Sequence, residues 1–343
     1  MREKYYAVHN ILSFKTIDNA GISVKDWDIE LRGFESNSPN NVDFVIFIGN
    51  FNPNTHNCTI LDDDYYIKED CLYCCRDSYQ YAKWRLELSG FEQGNMTARI
   101  HSNLLGKMLI PELIINPLIW FKLNEKGYPV MHGSAVSRDG QAYIFAGRGG
   151  AGKSTIALNL VERGFKLLSE HFVILGKDKV LSFPTPFHIM DFNLAPIIRK
   201  NMLLRHRVLF QCKQFFRHVT GKGLATKILP GDILPENSLA DEAKLQSVFL
   251  LLPRDVFRVA RIGKEELINH LVANQKLETI PFVKYMMEYA YLFPESKMAT
   301  HWARYQENLG QALAAAKAFY RVEVPLRYDS ETMEEISRLV SEG

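Results

Sequence analysis

The chain has 343 residues, with 41 Lys and Arg against 39 Asp and Glu, and 47% of its residues are apolar. This balance is ordinary for a globular protein with enough apolar residues for a core, and it excludes a wholly disordered chain. The net charge of +2 gives no general reason to expect binding to nucleic acid or to a membrane. At this length we expect two domains.

Several features of the sequence predict a cytoplasmic protein. The most apolar stretch, Met108 to Leu123, is interrupted by Pro, Glu, Asn and Lys, so we predict no membrane-spanning segment. The charged start, Met1 to Lys4, is not followed by the apolar run of a signal peptide. The five cysteines form a sparse, odd set, which is typical of reduced thiols.

One group of residues offers potential zinc ligands: His56, Cys58, Cys71, Cys74 and Cys75. Structural zinc sites usually supply two compact ligand pairs on turns that contain Gly or Pro. Here aromatic and acidic residues crowd between the candidate ligands. Partly buried cysteines on strands are therefore the favoured interpretation.

Residues 1 to 127 predict a mostly β domain. Short extended runs, separated by Asn, Pro, Gly and Asp turn residues, are expected at Trp27 to Leu31, Phe44 to Gly49 and Trp84 to Leu88. A helix with Pro111 in its first turn is predicted over Leu109 to Leu123, and it would close the domain.

Residues 128 to 343 predict a second domain in which apolar strands alternate with helices, as in an α/β sheet. Strands are expected at Pro129 to Val136, Ala142 to Ala146, Leu167 to Leu175 and Val248 to Leu252. Helices are expected directly after a glycine-rich loop near residue 150, and at Glu265 to Gln275, Val283 to Leu292, Trp302 to Phe319 and Ser330 to Val340.

Charge is divided unevenly between the two regions. Residues 1 to 130 carry 13 basic and 17 acidic residues, a net charge of −4, whereas the remaining 213 carry 28 and 22, a net charge of +6. The near-neutral total therefore arises because the two net charges nearly cancel. The positive excess lies in the second region, which also contains the most specific motif of the sequence.

That motif is GRGGAGKST, between the apolar run AYIFAG and the helical pattern IALNLVERG. It matches GxxxxGK[ST], the Walker A or P-loop pattern, in which glycine backbone N–H groups and a helix N-terminus bind phosphate. The predicted ATP-binding residues are Gly147, Arg148, Gly149, Gly150, Ala151, Gly152, Lys153, Ser154 and Thr155. Lys153 would reach the β- and γ-phosphates, and the Ser154 hydroxyl would bind Mg²⁺. The alternative is a glycine-rich surface turn.

Together with its neighbours, this motif resembles the HPr kinase/phosphorylase family, which shares a nucleotide-binding core with phosphoenolpyruvate carboxykinase. The resemblance rests on His132-Gly133, on the loop Gly147 to Thr155, and on Arg163-Gly164 followed by Leu167 to His171. It implies an α/β fold with a P-loop kinase core of this type, preceded by the mostly β N-terminal domain. It also implies an ATP-dependent kinase that transfers a phosphoryl group to a hydroxyl, typically of a serine.

The sequence departs from the family where two aspartates are expected, because Glu170 and His171 stand there. Glu170 retains a carboxylate that could act on the acceptor hydroxyl, so we interpret it as catalytic, with Lys153. His171 is a poor replacement for a magnesium ligand, since Mg²⁺ prefers oxygen. Either another residue supplies the metal ligand, or the protein binds nucleotide with little or no transfer.

Two further residues are candidates for the site. His132 corresponds to the family histidine beside the transferred phosphate, and it could donate to a phosphoryl oxygen or tune the base; a hydrogen-bonded histidine at a strand end is the alternative. Asp191 is the nearest downstream acid that could reach the metal, so with Ser154 it completes the predicted Mg²⁺ ligands.

A basic stretch follows the motif: Phe192 to Gly231 contains eight Lys and Arg and no acidic residue. Its apolar residues predict an amphipathic helix with a basic face. Three roles are open for this stretch: a lid over the ATP phosphates, a dock for an acidic substrate, or a nucleic-acid surface. Nucleic acid is disfavoured because no aromatic single-strand motif accompanies it. Gly221 to Gly223 suits a mobile loop, and Arg254 could supply a charge at the transferring phosphate.

The sequence thus predicts a transferase, an ATP- and Mg²⁺-dependent kinase that acts on a hydroxyl of a peptide, protein or small molecule. A catalytically degenerate ATP-binding regulator and a P-loop ATP hydrolase are the alternatives. We expect no nucleic-acid or membrane partner, and a possible homo-oligomer.

Overall fold

The structure, a computed structural model, describes residues 2–19, 25–37, 41–189, 196–220, 225–325, 328 and 330–342. The chain forms two compact units. Unit 1 comprises residues 1–126 and 279–304, and unit 2 comprises residues 127–278 and 305–343. Both combine helices with strands, so the chain is a mixed α/β protein with two large sheets.

The elements are numbered in chain order. The first 126 residues contribute β1 (Arg2–Val8), β2 (Leu12–Asp18), α1 (Lys25–Leu31), β3 (Glu35–Ser36), β4 (Phe44–Ile48), β5 (Thr59–Leu61), β6 (Tyr65–Lys68), β7 (Cys71–Tyr79), β8 (Ala82–Ser89), β9 (Met96–Ser102), α2 (Leu104–Ile110) and α3 (Asn116–Glu125).

Residues 127–278 contribute β10 (Val130–Arg138), β11 (Gln141–Ala146), α4 (Lys153–Glu162), β12 (Lys166–Ser169), β13 (Phe172–Leu175), β14 (Lys179–Leu181), β15 (Phe187–Ile189), α5 (Pro196–Asn201), α6 (Leu204–Thr220), β16 (Thr226–Ile228), β17 (Glu242–Arg254), β18 (Arg258–Arg261) and α7 (Lys264–Glu278). The remaining elements are α8 (Ile280–Leu292), α9 (His301–Ala312), β19 (Ala318–Pro325) and α10 (Ser330–Glu342).

Unit 1 is built on a nine-stranded sheet in the order β3-β1-β2-β4-β9-β8-β7-β6-β5. Its strands pair antiparallel except where β4 lies parallel to β2 and β9. Alternate side chains of β2 and β4 are buried, as expected of strands with one face on a core. The strands predicted near Phe44 and Trp84 are confirmed, and Cys71 and Cys74 are buried on β7.

The predicted helix over Leu109 to Leu123 is confirmed as part of a longer helical run. The run comprises α2, one π-helical turn at Pro111–Ile115, and α3. The side chain of Asn103 caps its N-terminus by accepting a hydrogen bond from the Gly106 N–H at 2.7 Å. Residues Leu104–Glu125 are long and apolar enough to cross a membrane by length and composition, but 67% of the most apolar window is buried inside the protein. Core helices pass the same test, so this run is weak evidence for a membrane span.

The extended run predicted at Trp27 to Leu31 is wrong, because Lys25–Leu31 form helix α1. In the structure the adjacent residues Glu30 and Leu31 are both buried, and Asn116 Nδ2 lies 3.4 Å from the Glu30 carboxylate. Two consecutive buried side chains fit a helix better than a strand with one buried face.

Residues 279–304 were predicted within the second domain, but they pack in unit 1. Trp84 Nε1 donates to the Tyr285 hydroxyl at 2.8 Å, and Tyr285 in turn donates to Asp77. The Asp70 N–H donates to the Tyr289 hydroxyl at 2.9 Å. These buried aromatic residues of α8 therefore complete the core of unit 1.

Unit 2 contains an eight-stranded sheet in the order β11-β10-β13-β14-β17-β19-β18, with β12 paired to β10. Strand β17 also lies parallel to β11, so five strands close into a ring, and β17 pairs in parallel with β19 on its other edge. The predicted strands at Ala142 and Val248 are confirmed. Helices α4 and α10 pack on the apolar core of this unit through residues such as Ile156, Leu160 and Ile336.

The helix predicted over Trp302 to Phe319 is only partly correct. Helix α9 ends at Ala312, a single 3₁₀ turn follows, and Ala318–Pro325 form β19. Val322 and Val324 are buried, and β19 pairs with β17 over eight residues. Sheet pairing thus overrides the helix propensity of the alanine-rich segment.

Candidate functional site

The glycine-rich loop lies between β11 and α4, in the strand, loop and helix order that the sequence predicts. Gly147 has a φ of 153°, and a Cβ there would lie 2.7 Å from the Leu251 carbonyl oxygen of β17. Gly150 and Gly152 both have a φ of 82°, in the left-handed region. These three positions therefore need glycine for conformation or for space.

The outer part of the loop is open where a ligand would approach. Neither Gly149 nor Gly150 has an atom of another residue within 4 Å of the place a Cβ would occupy. Helix α4 begins at Lys153, and no side chain caps its N-terminus. Backbone N–H groups and the helix dipole therefore create a positive site suited to an anion.

Lys153 points back into the loop. Its Nζ donates to the carbonyl oxygens of Gly147 at 2.8 Å and Arg148 at 3.0 Å, and its side chain is buried. Burial lowers the pKa of Lys153 to about 8, although the charges of Glu278 and Glu170 partly oppose this. The ammonium group is thus held at the base of the loop by these two carbonyl oxygens.

Ser154 donates a hydrogen bond from its hydroxyl to Oε1 of Glu170. Glu170 is presented by a break in the strand predicted over Leu167 to Leu175, which forms two strands, β12 and β13. At the break His171 has a φ of 75°, and its carbonyl oxygen accepts from the Gly133 N–H at 3.0 Å. This local turn brings the Glu170 carboxylate to the start of α4.

His132 lies on β10 and is almost fully buried. Its Nδ1 is 3.1 Å from Oε1 of Glu278, the last residue of α7. Asn274 Nδ2 also lies 3.3 Å from this nitrogen, but it donates to the Gly147 carbonyl oxygen, and the Glu278 carboxylate, which only accepts, is nearer. We therefore assign the imidazole proton to Nδ1. Burial lowers the pKa of His132, although Glu278 opposes the shift. A neutral imidazole with a fixed tautomer can accept a proton at its other nitrogen.

Glu278 also anchors the loop. Arg148 Nη1 lies 2.9 Å from Glu278 Oε1 and 3.3 Å from Asn274 Oδ1, and Asn274 Nδ2 donates to the Gly147 carbonyl at 3.3 Å. Burial alone would raise the pKa of Glu278, but the hydrogen bond with His132 and the charges of Arg148 and Lys153 lower it overall. Glu278 is therefore ionised at neutral pH.

His171 lies among groups that disfavour positive charge on its ring. Its centroid is 5.1 Å from that of His132 and 5.2 Å from that of His188 on β15, and its ring stacks on Phe172. Burial lowers the pKa of His171 well below its usual range, and the charges of His132, His188, Lys153 and Lys227 add to the shift. His171 is therefore neutral where the resembled family has a carboxylate.

Two sets of residues around the glycine loop could hold a metal ion. Ser154 and Glu170 offer adjacent oxygen atoms, which is the donor chemistry Mg²⁺ prefers. His132, His171 and Glu278 each offer a ligand atom, and these atoms lie within 4.8 Å of one another. Arg148 already pairs with Glu278, so we interpret the second set mainly as the support of His132. The predicted ligand Asp191 lies outside the described residues.

Several residues of the site were not predicted: Asn274, Glu278, His188 and Tyr328. Asn274 and Glu278 share one face of α7, since they are four residues apart, but nothing in their spacing links them to a loop more than 120 residues earlier. Tyr328 donates from its hydroxyl to the Ala151 carbonyl oxygen at 2.6 Å, and its ring fills the space beside Gly152.

The structure also gives the positions of the remaining predicted residues and of the basic stretch. Thr155 is in the first turn of α4, and Arg254 is exposed at the end of β17. The basic stretch forms α5 and α6, which confirms a helix there, whereas Gly221 to Gly223 lie outside the described residues. Strand β16, which follows α6 in the chain, pairs with β15 so that Lys227 lies opposite His188.

Comparisons with known proteins give little further information. No family model matches the sequence, and no curated protein matches it. The solved structure of the Hpr(Ser) kinase/phosphatase from Coxiella burnetii aligns with 62% of this chain and 99% of its own chain, at 11% identity and a TM-score of 0.28. A similarity this distant carries no argument about fold or activity, so a function for this chain has to be inferred from the residues of its own site.

Proposed function

We propose that the protein is an ATP-dependent phosphotransferase that phosphorylates a hydroxyl group on a peptide, a protein or a small molecule. The observation that carries the proposal is the hydrogen bond between Ser154 and Glu170. This bond holds the Glu170 carboxylate against the Ser154 hydroxyl in the first turn of α4, directly beside the glycine loop and the buried Lys153. A glycine turn with only a structural role would need neither group.

Each part of the loop has a role in this proposal. The backbone N–H groups from Gly149 onward and the N-terminus of α4 bind the phosphates of ATP, and Lys153 leaves its contacts with Gly147 and Arg148 to pair with them. Ser154 would hold Mg²⁺, which neutralises phosphate charge when bound. The adjacent oxygen atoms of Ser154 and Glu170 fit that ion.

As the acceptor oxygen attacks the γ-phosphorus, the bond between that phosphorus and the β–γ bridging oxygen breaks and ADP leaves, while Glu170 accepts the proton of the acceptor hydroxyl. His132 lies on β10, which pairs with the strands on both sides of Glu170, and Glu278 fixes the tautomer of His132 through Nδ1. His132 therefore donates to or accepts from the reacting groups through its remaining nitrogen, and the charge on Glu278 stabilises the imidazole when it is protonated.

One observation favours a second candidate, an ATP-binding regulator without transfer activity. His171 is a neutral imidazole close to Lys153 and Lys227 at the position of the family's second aspartate. If Mg²⁺ binding needs two carboxylates, this replacement would leave nucleotide binding but weaken catalysis.

The two candidates are separated by incubating the protein with γ-labelled ATP, Mg²⁺ and an extract of the cells that make it. We expect label in an acceptor with wild type, and none with Lys153→Ala or Glu170→Gln. Binding of ATP without transfer under any divalent metal would support the regulator. Release of labelled phosphate without a labelled acceptor would indicate a hydrolase instead.

A further inference from the structure

Helix α6 has its polar and apolar sides reversed with respect to an ordinary surface helix. Its partly buried residues are mostly polar and include His206, Lys213, Gln214 and Arg217. Lys213 Nζ donates to the Ala225 carbonyl oxygen at 2.9 Å, beside β16. Four of its apolar side chains face solvent, whereas Phe210 packs against the core of unit 2: Leu204 is 77% exposed, Val208 51%, Leu209 43% and Phe215 70%. An exposed apolar stripe of this kind indicates a binding surface.

The stripe is narrow. Leu204, Val208, Cys212 and Phe215 are spaced by four, four and three residues, so at about 100° per residue they cover an arc of about 80°. Leu209, which is 43% exposed, lies about 60° further round, on the far side of Arg205. The uninterrupted seam therefore resembles that of a coiled coil, whereas a helix lying in a membrane surface presents a wider apolar face without a basic residue within it. The shape of the stripe therefore favours another helix as its occupant.

Charge identifies the kind of helix. Arg205 flanks the stripe on one side and Arg207 on the other, and both are exposed. Arg207 also donates to the carbonyl oxygens of Met202 and Arg199, which hold its positive charge beside the stripe. The sequence from Phe192 to Gly231 contains no acidic residue. Two copies of α6 would bring like charges together across the seam, which disfavours self-association. A partner helix with Glu or Asp beside its apolar seam would pair with both flanks.

The acidic helix α10 of this chain is not the helix that binds the stripe on α6. Its apolar residues Met333, Ile336 and Val340 are already buried in the core of unit 2. We propose that α6 is the docking surface for an amphipathic helix of another protein or peptide, with an apolar seam and acidic flanks. This inference concerns binding alone and does not depend on phosphoryl transfer.

The test uses the full chain and a fluorescent synthetic peptide of about 20 residues, long enough to form a helix. The peptide carries Leu at seam positions and Glu beside them, and a second peptide carries Lys in place of Glu. We expect saturable binding of the Glu peptide that weakens with salt, and little binding of the Lys peptide. Phe215→Ser and Arg205→Glu should each weaken binding about tenfold, or about 1.4 kcal/mol.

Tyr291→Ser is the matched control, because Tyr291 is 76% exposed and lies on α8 of unit 1. It should leave binding unchanged. Since Phe215 and Arg205 are exposed, their variants should unfold at the wild-type urea concentration. Equal binding of both peptides, or wild-type affinity in Phe215→Ser, would overturn the proposal. So would binding to vesicles of phosphatidylcholine and phosphatidylglycerol in the absence of any peptide binding.

Discussion

Ser154 and Glu170 are 16 residues apart in the chain and joined by a hydrogen bond between their side chains. The contact depends on the turn at Glu170 and His171, which interrupts the pairing of β10 with β12 and β13. A regular strand through this point would direct successive side chains to opposite faces. The turn therefore sets the position of the carboxylate on which the proposed chemistry depends.

Replacing His171 by Asp tests whether a missing carboxylate limits the site. Asp tolerates the left-handed backbone of this position, and it would add a negative charge near Lys153 and Lys227. We expect His171→Asp to lower the Mg²⁺ concentration needed for ATP binding about tenfold. His171→Asn has the same shape without the charge, so equal responses of the two variants would contradict this account.

The pKa of Lys153 predicts how ATP binding depends on pH. Because that pKa is lowered to about 8, the free protein loses the ammonium charge as the pH rises through this value. If ATP binds the protonated form, affinity should fall about tenfold between about pH 7 and pH 9. Calorimetric titration at several pH values measures this. Lys153→Met should bind ATP weakly, and its affinity should change little over the same pH range. A wild-type affinity that does not change with pH would contradict the role given to the Lys153 ammonium group.

His132 and Glu278 should act as a unit. Glu278→Ala removes the acceptor that fixes the imidazole tautomer, and His132→Ala removes the imidazole, so we expect each to slow single-turnover transfer about 100-fold. At saturating ATP, where the contact between Glu278 and Arg148 does not limit nucleotide binding, the double variant should be little slower than either single one, because both changes remove the same function. Glu278→Gln, which keeps an acceptor oxygen, should slow transfer less than Glu278→Ala. If the rate losses of the two single variants multiply in the double variant, the two residues act separately.

Two glycines of the loop allow a matched comparison. Gly150 and Gly152 have the same φ of 82°, but only at Gly152 would a Cβ overlap the Tyr328 ring. Both Ala variants should lower the free energy of unfolding by about 1 to 2 kcal/mol through backbone strain, and Gly152→Ala should lower it further because its Cβ overlaps Tyr328. Urea unfolding measures this difference. The same overlap should weaken ATP binding in Gly152→Ala more than in Gly150→Ala. Adding Tyr328→Ala to Gly152→Ala should restore ATP affinity towards that of Gly150→Ala, and failure to do so would disprove the packing argument.

Tyr285 tests the assignment of residues 279–304 to unit 1. Tyr285→Phe removes the acceptor of the buried Trp84 N–H and the donor to Asp77 Oδ2, so we expect a loss of about 1 to 3 kcal/mol in the free energy of unfolding. Tyr291→Phe, at an exposed position of the same helix, should change it by less than about 0.5 kcal/mol. Equal effects of the two variants would contradict the packing described for α8.

The sequence predicted those parts of the site that are local in the chain. The glycine loop, its strand and its helix follow from a contiguous motif, because backbone conformation and the helix N-terminus act over a few residues. The order of strands around it, and the exchange of residues 279–304 into unit 1, depend on contacts between distant segments. No local pattern encodes them.

Glu278 and Tyr328 show why the rest of the site was not predictable. Glu278 ends an ordinary polar helix, and its role appears only when α7 places it beside His132 and Arg148. Tyr328 contacts a loop residue 177 positions earlier. The turn at His171 was missed for a different reason, since the apolar run on both sides resembles one continuous strand.

The most direct test of the central claim is calorimetric titration of wild type, Lys153→Ala and Glu170→Gln with ATP in the presence of Mg²⁺. The proposed site predicts saturable binding to wild type at one site per chain and a large loss of affinity in Lys153→Ala. In Glu170→Gln it predicts affinity within about tenfold of wild type, because the amide keeps an oxygen beside Mg²⁺ and the loop N–H groups, Lys153 and Ser154 still bind the phosphates and the metal. Absence of ATP binding to the folded wild-type protein, or unchanged affinity in Lys153→Ala, would contradict it.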